Sequence, residues 1–380
     1  MKVNGKERTL RALNFEGPDR APIMGGMLCH GSFIEAAGGI RPWWSDSEKC
    51  IRRVYRNLGV DVVGCSTLPR RPEDSAKLGD GSVSNFGLMS GEPSPFQSPE
   101  DVLAFVREQP PVEEKVSQFD AQKAYDEIMA KYEAGLAQAG DDRLWLPWSL
   151  HREVGFHGRL SSFGYENFLC ALALHESEME KLFADDGVMA RLWNEALVKV
   201  FEDNAYPKVV WYGEDICGNR GPMTSPALLH RIFMPHLKHA FEPLVESGFR
   251  IVWHSDGNIK PIREDLLDCG VGGFQGMQEF MDDPAHNNPL EELAQMTDRK
   301  GRPLLIIGSI SCRKTLPFGR PDDVRAAAQR CLDLSEERNG GLIILTDNTV
   351  GPEVPHDNLF ALYEYVTGVK AKRYPDGESE

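Results

Sequence analysis

The segment Phe249-Arg-Ile-Val-Trp-His-Ser-Asp-Gly257 runs apolar and then ends abruptly in an imidazole, a carboxylate and a glycine. His254 and Asp256 are two residues apart, so on an extended chain both side chains point the same way and could share one metal ion or divide acid–base work. A structural hydrogen-bonded pair is the plainer alternative. Gly257 would allow a tight turn directly beyond them. Glu214 and Asp215 form a second acidic ending, after Val209-Val-Trp-Tyr-Gly. Neighbouring strand residues face opposite ways, so one of these acids should enter a cavity while the other supports a loop. A general base there would need its pKa raised by burial. Asp347 and Asn348 close a third apolar run. Asn348 is a poor transition-metal ligand but donates and accepts hydrogen bonds, which suits a substrate contact or a turn.

Such endings need a scaffold that gathers them. Eight short apolar runs recur along the chain: Ala21 to Met27, Val60 to Cys65, Leu144 to Leu150, Val209 to Glu214, Arg250 to His254, Val271 to Gln278, Leu304 to Ile310 and Leu342 to Asp347. Helical patterns lie between most of them. Ser225-Pro226 opens one such helix, Arg320-Pro-Asp-Asp another, and Val354-Pro-His-Asp-Asn the last. Eight strands alternating with helices predict an α/β fold, a single (β/α)8 TIM barrel over residues 1–380, with an open doubly wound sheet as the runner-up. The span 66–143 is too long for one connection and reads as a rim insertion, in which the paired glycines of Gly79-Asp-Gly predict a β-hairpin. Residues 371–380 read as a solvated tail.

In a barrel the C-terminal strand tips converge on one mouth. His151, His157, Trp211, Trp253, Gln275, Gln278 and Asp347 then become candidate substrate contacts, and Glu214, Asp215, His254, Asp256 and Asn348 the candidate catalytic set. His254 and Asp256 are the expected metal ligands, with Glu214 and Cys312 as further candidates. Cys312, like Cys29 and His30, is a soft donor should the site prefer zinc, although a buried structural role is the commoner one for each. The two tryptophans could wall a flat pocket or simply pack.

Bulk properties narrow the partners. The chain has 380 residues, 41% of them hydrophobic, and a formal charge of -16, which disfavours nucleic acid and anionic membranes. No apolar stretch approaches the ~20 residues needed to cross a bilayer, and the N-terminus lacks a secretion signal, so the cytoplasm is expected. The eight cysteines are dispersed without a Cys-x-x-Cys pair, which argues against a disulfide framework or a structural zinc knuckle. Neither a Gly-x-Gly-x-x-Gly nor a Walker loop is present, which disfavours nucleotide chemistry. A small-molecule substrate remains, and a homodimer is compatible with all of this.

Several segments carry a family resemblance. Asn4-Gly-Lys-Glu-Arg-Thr-Leu followed by Pro18-Asp-Arg-Ala-Pro, Trp253-His-Ser-Asp-Gly-Asn-Ile-Lys-Pro-Ile followed by Gln275-Gly-Met-Gln, Gly308-Ser-Ile-Ser with Gly319-Arg-Pro-Asp-Asp-Val, and Pro352-Glu-Val-Pro-His-Asp-Asn-Leu together resemble the uroporphyrinogen decarboxylase superfamily. The resemblance implies the same barrel. True decarboxylases of this group carry an arginine-rich segment after the first strand and an aspartate after the second. Here those places read Gly25-Gly-Met-Leu-Cys-His-Gly and Gly64-Cys-Ser-Thr-Leu-Pro, so an anionic porphyrinogen lacks its anchors. The chain is more similar to the corrinoid-dependent methyltransferase branch, whose zinc is held by His-x-Cys and a later cysteine. His254 matches, but Asp256 and Asn348 stand about where the cysteines would fall. That departure disfavours a thiol acceptor and suits an oxygen-bearing substrate, implying O-demethylation of a small methoxylated or methylated compound at a divalent metal, zinc first. The chain shows no Asp-x-His-x-x-Gly cobalamin segment, so the corrinoid would ride on a partner protein. A metal-free decarboxylase or lyase acting on a small acid is the alternative.

Overall fold

The computed structural model describes residues 3–65, 68–69, 95–276 and 288–375, and the backbone of 76–77 and 83–84. Eight parallel strands, one from each apolar run, form the frame: β1 (Met24–Gly25), β2 (Val62–Val63), β3 (Leu144–Trp145), β4 (Val209–Gly213), β5 (Arg250–His254), β6 (Val271–Gln275), β7 (Leu305–Ile307) and β8 (Leu342–Ile343). β1 to β3 pair in chain order, as do β4 to β8. Parallel bridges Ile23 to Ile344 and Trp148 to Trp211 join the two arcs. The ring therefore closes, giving the (β/α)8 barrel and excluding the open sheet.

Alternation along the strands sorts the side chains. Met24, Val62, Leu144, Trp211, Val252 and Ile307 pack together inside the barrel. Val63, Val210, Ile251, Trp253, Phe274 and Ile306 belong to the larger core between strands and helices. Helix Gly5–Leu13 closes the N-terminal end, where Leu13 joins the interior cluster. The Pro18-Asp-Arg-Ala-Pro motif does its work at this end. Asp19 accepts two bonds from Arg8, at 2.6 and 2.7 Å, and Arg20 bonds Asp61 at 2.7 Å. Asp61 also receives Arg8 at 2.7 Å and the Ile23 amide at 3.0 Å, so a buried carboxylate at the start of β2 is fully paired.

Within the 66–143 span, Ala76–Lys77 pairs antiparallel with Val83–Ser84, as the paired glycines predict for a hairpin. The turn between them lies outside the described residues. Farther along the span, helix Ala121–Ala139 packs along β3 and against the long helix Glu176–Asp203, serving as a crossover of the barrel itself. The expectation of a solvated tail beginning at 371 does not hold for its first residues. Lys372 N–H donates to Asn57 Oδ1 and Tyr374 N–H to the Ala36 carbonyl, both at 2.8 Å, and Ala371 is buried. Residues 376–380 lie outside the described residues. Among the described residues no helix is long and apolar enough to cross a membrane.

Candidate active site

β5 delivers His254 to the C-terminal mouth on the same face as Val252, which lies in the barrel interior. Gly257 then turns the chain. Its φ of +79° is left-handed, and a Cβ there would lie 2.4 Å from the Gly218 carbonyl, so glycine is required twice over. The turn brings Asp256 back toward the ring. β4 supplies the third member: Trp211 faces inward, and Asp215, four residues on, does too.

Nε2 of His254 lies 3.3 Å from Asp215 Oδ1 and 3.9 Å from Asp256 Oδ1. One donor atom from each of the three residues lies within 4.8 Å of the others. Ligands held at ~2.1 Å around a tetrahedral ion stand roughly 3.4 Å apart, so the set fits a divalent cation with little rearrangement. Its outer supports are also in place. Nδ1 of His254 bonds Gln275 Oε1 across the β5–β6 pair, where the two residues are in register. Gln275 Nε2 in turn donates to the Asp347 carbonyl at 3.4 Å, which fixes the amide's orientation. An amide oxygen can only accept, so Nδ1 carries a hydrogen and Nε2 is the nitrogen presented to the carboxylates. Asn348 Nδ2 donates to Asp256 Oδ2 at 2.7 Å, and the Asp256 amide donates to Asp215 Oδ1 at 2.9 Å.

The three groups polarise one another. Burial opposes the His254 imidazolium, but the bond to Asp215 and the charges of Asp215 and Asp256 outweigh it and raise its pKa. Burial likewise works against an ionised Asp215, yet the His254 bond and charge hold it below the usual carboxylate range. Asp256 moves the other way, pushed up by burial and by Asp215's charge. Asp347 is raised to about 6 by burial despite accepting the Cys312 amide at 2.7 Å.

The remaining candidates divide. Trp211 is fully buried in the barrel interior, its ring 4.6 Å from that of Trp148, which itself stands 5.6 Å from the His254 ring. Trp148 was missed, although it extends the inward series Leu144, Leu146. Trp253 does not join the site. It faces the helices and packs 6.2 Å from Phe241, because it alternates with His254. Glu214 also faces outward, where its carboxylate accepts the His157 amide. It is therefore not a metal ligand beside His254, and Asp215 takes that place. Burial raises Glu214 to about 7 against those backbone bonds. His151 and His157 sit on this outer side as well, with their ring nitrogens buried and unbonded. Cys312 donates to the Asn348 carbonyl at 3.0 Å, and burial pushes its thiol well up, so it supports the β8 tip and is not among the clustered donors. Gln278 lies outside the described residues. Glu153 was missed, and no periodicity or spacing marks it: both its oxygens are buried without a partner.

These features define an α/β barrel whose strand tips hold an acid–imidazole–acid cluster. Residues 209–369, which run from β4 to the last helix, match the family described as Uroporphyrinogen decarboxylase (URO-D), in keeping with the superfamily resemblance. Among solved structures the chain is similar to a methyltransferase from Methanosarcina mazei, with a TM-score of 0.54 and 16% identity over 95% of this chain and 97% of that one. At that identity the likeness speaks for the fold. No curated protein matches the chain.

Proposed function

We propose that the protein is a methyltransferase that takes a methyl group from a small methoxylated or methylated compound and passes it to a corrinoid carried by a partner protein. The observation that carries this reading is the Asp215–His254–Asp256 cluster with the imidazole tautomer fixed by Gln275. A divalent ion held by these three residues, zinc being the first candidate, would supply Lewis-acid polarisation of the substrate oxygen. The protein's own residues bind and orient. Gln275 keeps the His254 ring in place, Asn348 holds Asp256, and Trp148, packed edge-to-face on the buried Trp211, offers an apolar surface beside His254 for an aromatic or methyl-bearing substrate. In such a transfer the substrate's carbon–oxygen bond would break, and the oxygen would keep the electron pair and need a proton. Asp347, raised to about 6, is the buried carboxyl at the same mouth suited to carry one near neutrality.

A carboxy-lyase acting on a small acid is the second reading, favoured by the family description over residues 209–369. In it His254, whose pKa the neighbouring carboxylates raise, would receive the substrate carboxylate without an ion. Two measurements separate the readings. Metal analysis of the purified protein should give one divalent ion per chain, lost in His254→Ala, and methylation of cob(I)alamin from methoxylated aromatics should fall at least 100-fold in the same variant. A metal-free protein that releases labelled carbon dioxide from a candidate acid would overturn the first reading in favour of the second.

A further inference from the structure

A polar cavity lies outside the barrel, between the tips of β3 and β4 and helix Glu176–Asp203. Its volume is about 450 Å³, and Ser149, His151, Glu153, Trp193, Tyr212 and Glu214 line it. The alternation that aims Asp215 at His254 turns Tyr212 and Glu214 to this outer side, so the cavity shares strand β4 with the cluster but none of the cluster's residues.

The cavity holds more acceptors than donors. His151 is 1% exposed and neither ring nitrogen has a partner. Both Glu153 oxygens are buried and unbonded, and the charge of Glu214 bears on them. Of the nearby cations, Arg159 bonds Asp186 at 2.6 Å, and Arg152, exposed at the cavity wall, lies over the Trp193 ring, 4.5 Å from its centroid. Burying an unpaired carboxylate is costly, so the site is incomplete without a positive donor. A single metal ion does not fit, because among the described residues the mouth cluster is the one group of three or more such donors close enough to hold one. Two carboxylates repel an anion. A donor-bearing cation larger than a metal ion fits the spread of acceptors, and the aromatic ring of Tyr212 favours an organic one.

We propose that the cavity bounded by His151, Glu153, Tyr212 and Glu214 binds a small organic ammonium ion, separately from the barrel mouth. The ammonium hydrogens would meet Glu153 and a ring nitrogen of His151, and its carbon substituents would lie against Tyr212. Isothermal titration of the full chain with methylammonium and trimethylammonium chloride, against sodium chloride at equal ionic strength, tests this. Saturable binding of at least one ammonium salt is expected, at least 10-fold weaker in Glu153→Gln and unchanged in His254→Ala. Met189→Trp, which fills the cavity without touching its carboxylates, should also abolish binding and decides the matter if Glu153→Gln fails to fold. Absence of saturable heat with both salts overturns the proposal, as does binding that survives both cavity variants or disappears in His254→Ala.

Discussion

Nδ1 of His254 bonds Oε1 of Gln275, and that contact decides which ring nitrogen faces Asp215 and Asp256. The two residues are 21 apart in the chain but in register on neighbouring parallel strands. The tautomer of the site is thus set by strand pairing.

Replacing Gln275 by Leu should therefore weaken metal binding while leaving all three ligands present. Loss of an outer-shell partner of a ligating histidine typically costs about 10–100-fold in affinity. Zinc competition against a chromophoric chelator measures it. Wild-type affinity in Gln275→Leu would show that the ring is held by other contacts.

Asp61 should be among the most sensitive positions for stability, although it is far from the mouth. Its carboxylate pairs with Arg8 and Arg20 at 2.7 Å each, and it is 2% exposed. Asp61→Ala leaves the Arg8 guanidinium buried beside a hole, and breaking a buried pair this way costs about 3–5 kcal/mol. Urea unfolding monitored by circular dichroism should show the midpoint fall, with the metal content of the remaining folded protein unchanged.

Stability should decline as pH rises from weakly acid to neutral, and Glu214 should be a main cause. Its pKa rises from an ordinary 4.5 to about 7 on folding, so the folded state binds more protons than the unfolded state between those values. A raised carboxyl contributes fully below about 4.5 and loses that contribution as pH passes through about 7. One proton accounts for a slope of at most about 1.4 kcal/mol per pH unit. Thermal melts of Glu214→Gln across this window should be flatter than those of the wild type. Asp347, raised from 3.8 to about 6, adds a smaller slope of the same sign that Glu214→Gln leaves in place.

Gly257→Ala should damage both stability and the site. The left-handed φ and the 2.4 Å approach to the Gly218 carbonyl force the turn after Asp256 to move, at a cost of about 1–3 kcal/mol. Since the turn aims Asp256, metal affinity should fall with the melting temperature. A variant that melts lower but binds metal normally would show that Asp256 is positioned by Asn348 alone.

The eight strands and the clustering of His254 with Asp256 were legible in the sequence because each depends on local order. Apolar runs of strand length must be buried, a two-residue spacing on an extended chain puts two side chains on one side, and a glycine after them permits the turn. The motifs of residues 4–22 and 352–359 were legible as a family pattern, but not as the ion-pair network around Asp61 or as the Asn358 side chain that donates to the carbonyls of Leu316 and Gly319 at 2.8 Å. The choice of Asp215 over Glu214, the outward turn of Trp253, the placement of Trp148 beside His254 and the burial of Glu153 were decided by the tertiary structure. Strand alternation says that neighbours face opposite ways but not which face is the lumen, and that is fixed only when the ring closes between Ile23 and Ile344 and between Trp148 and Trp211.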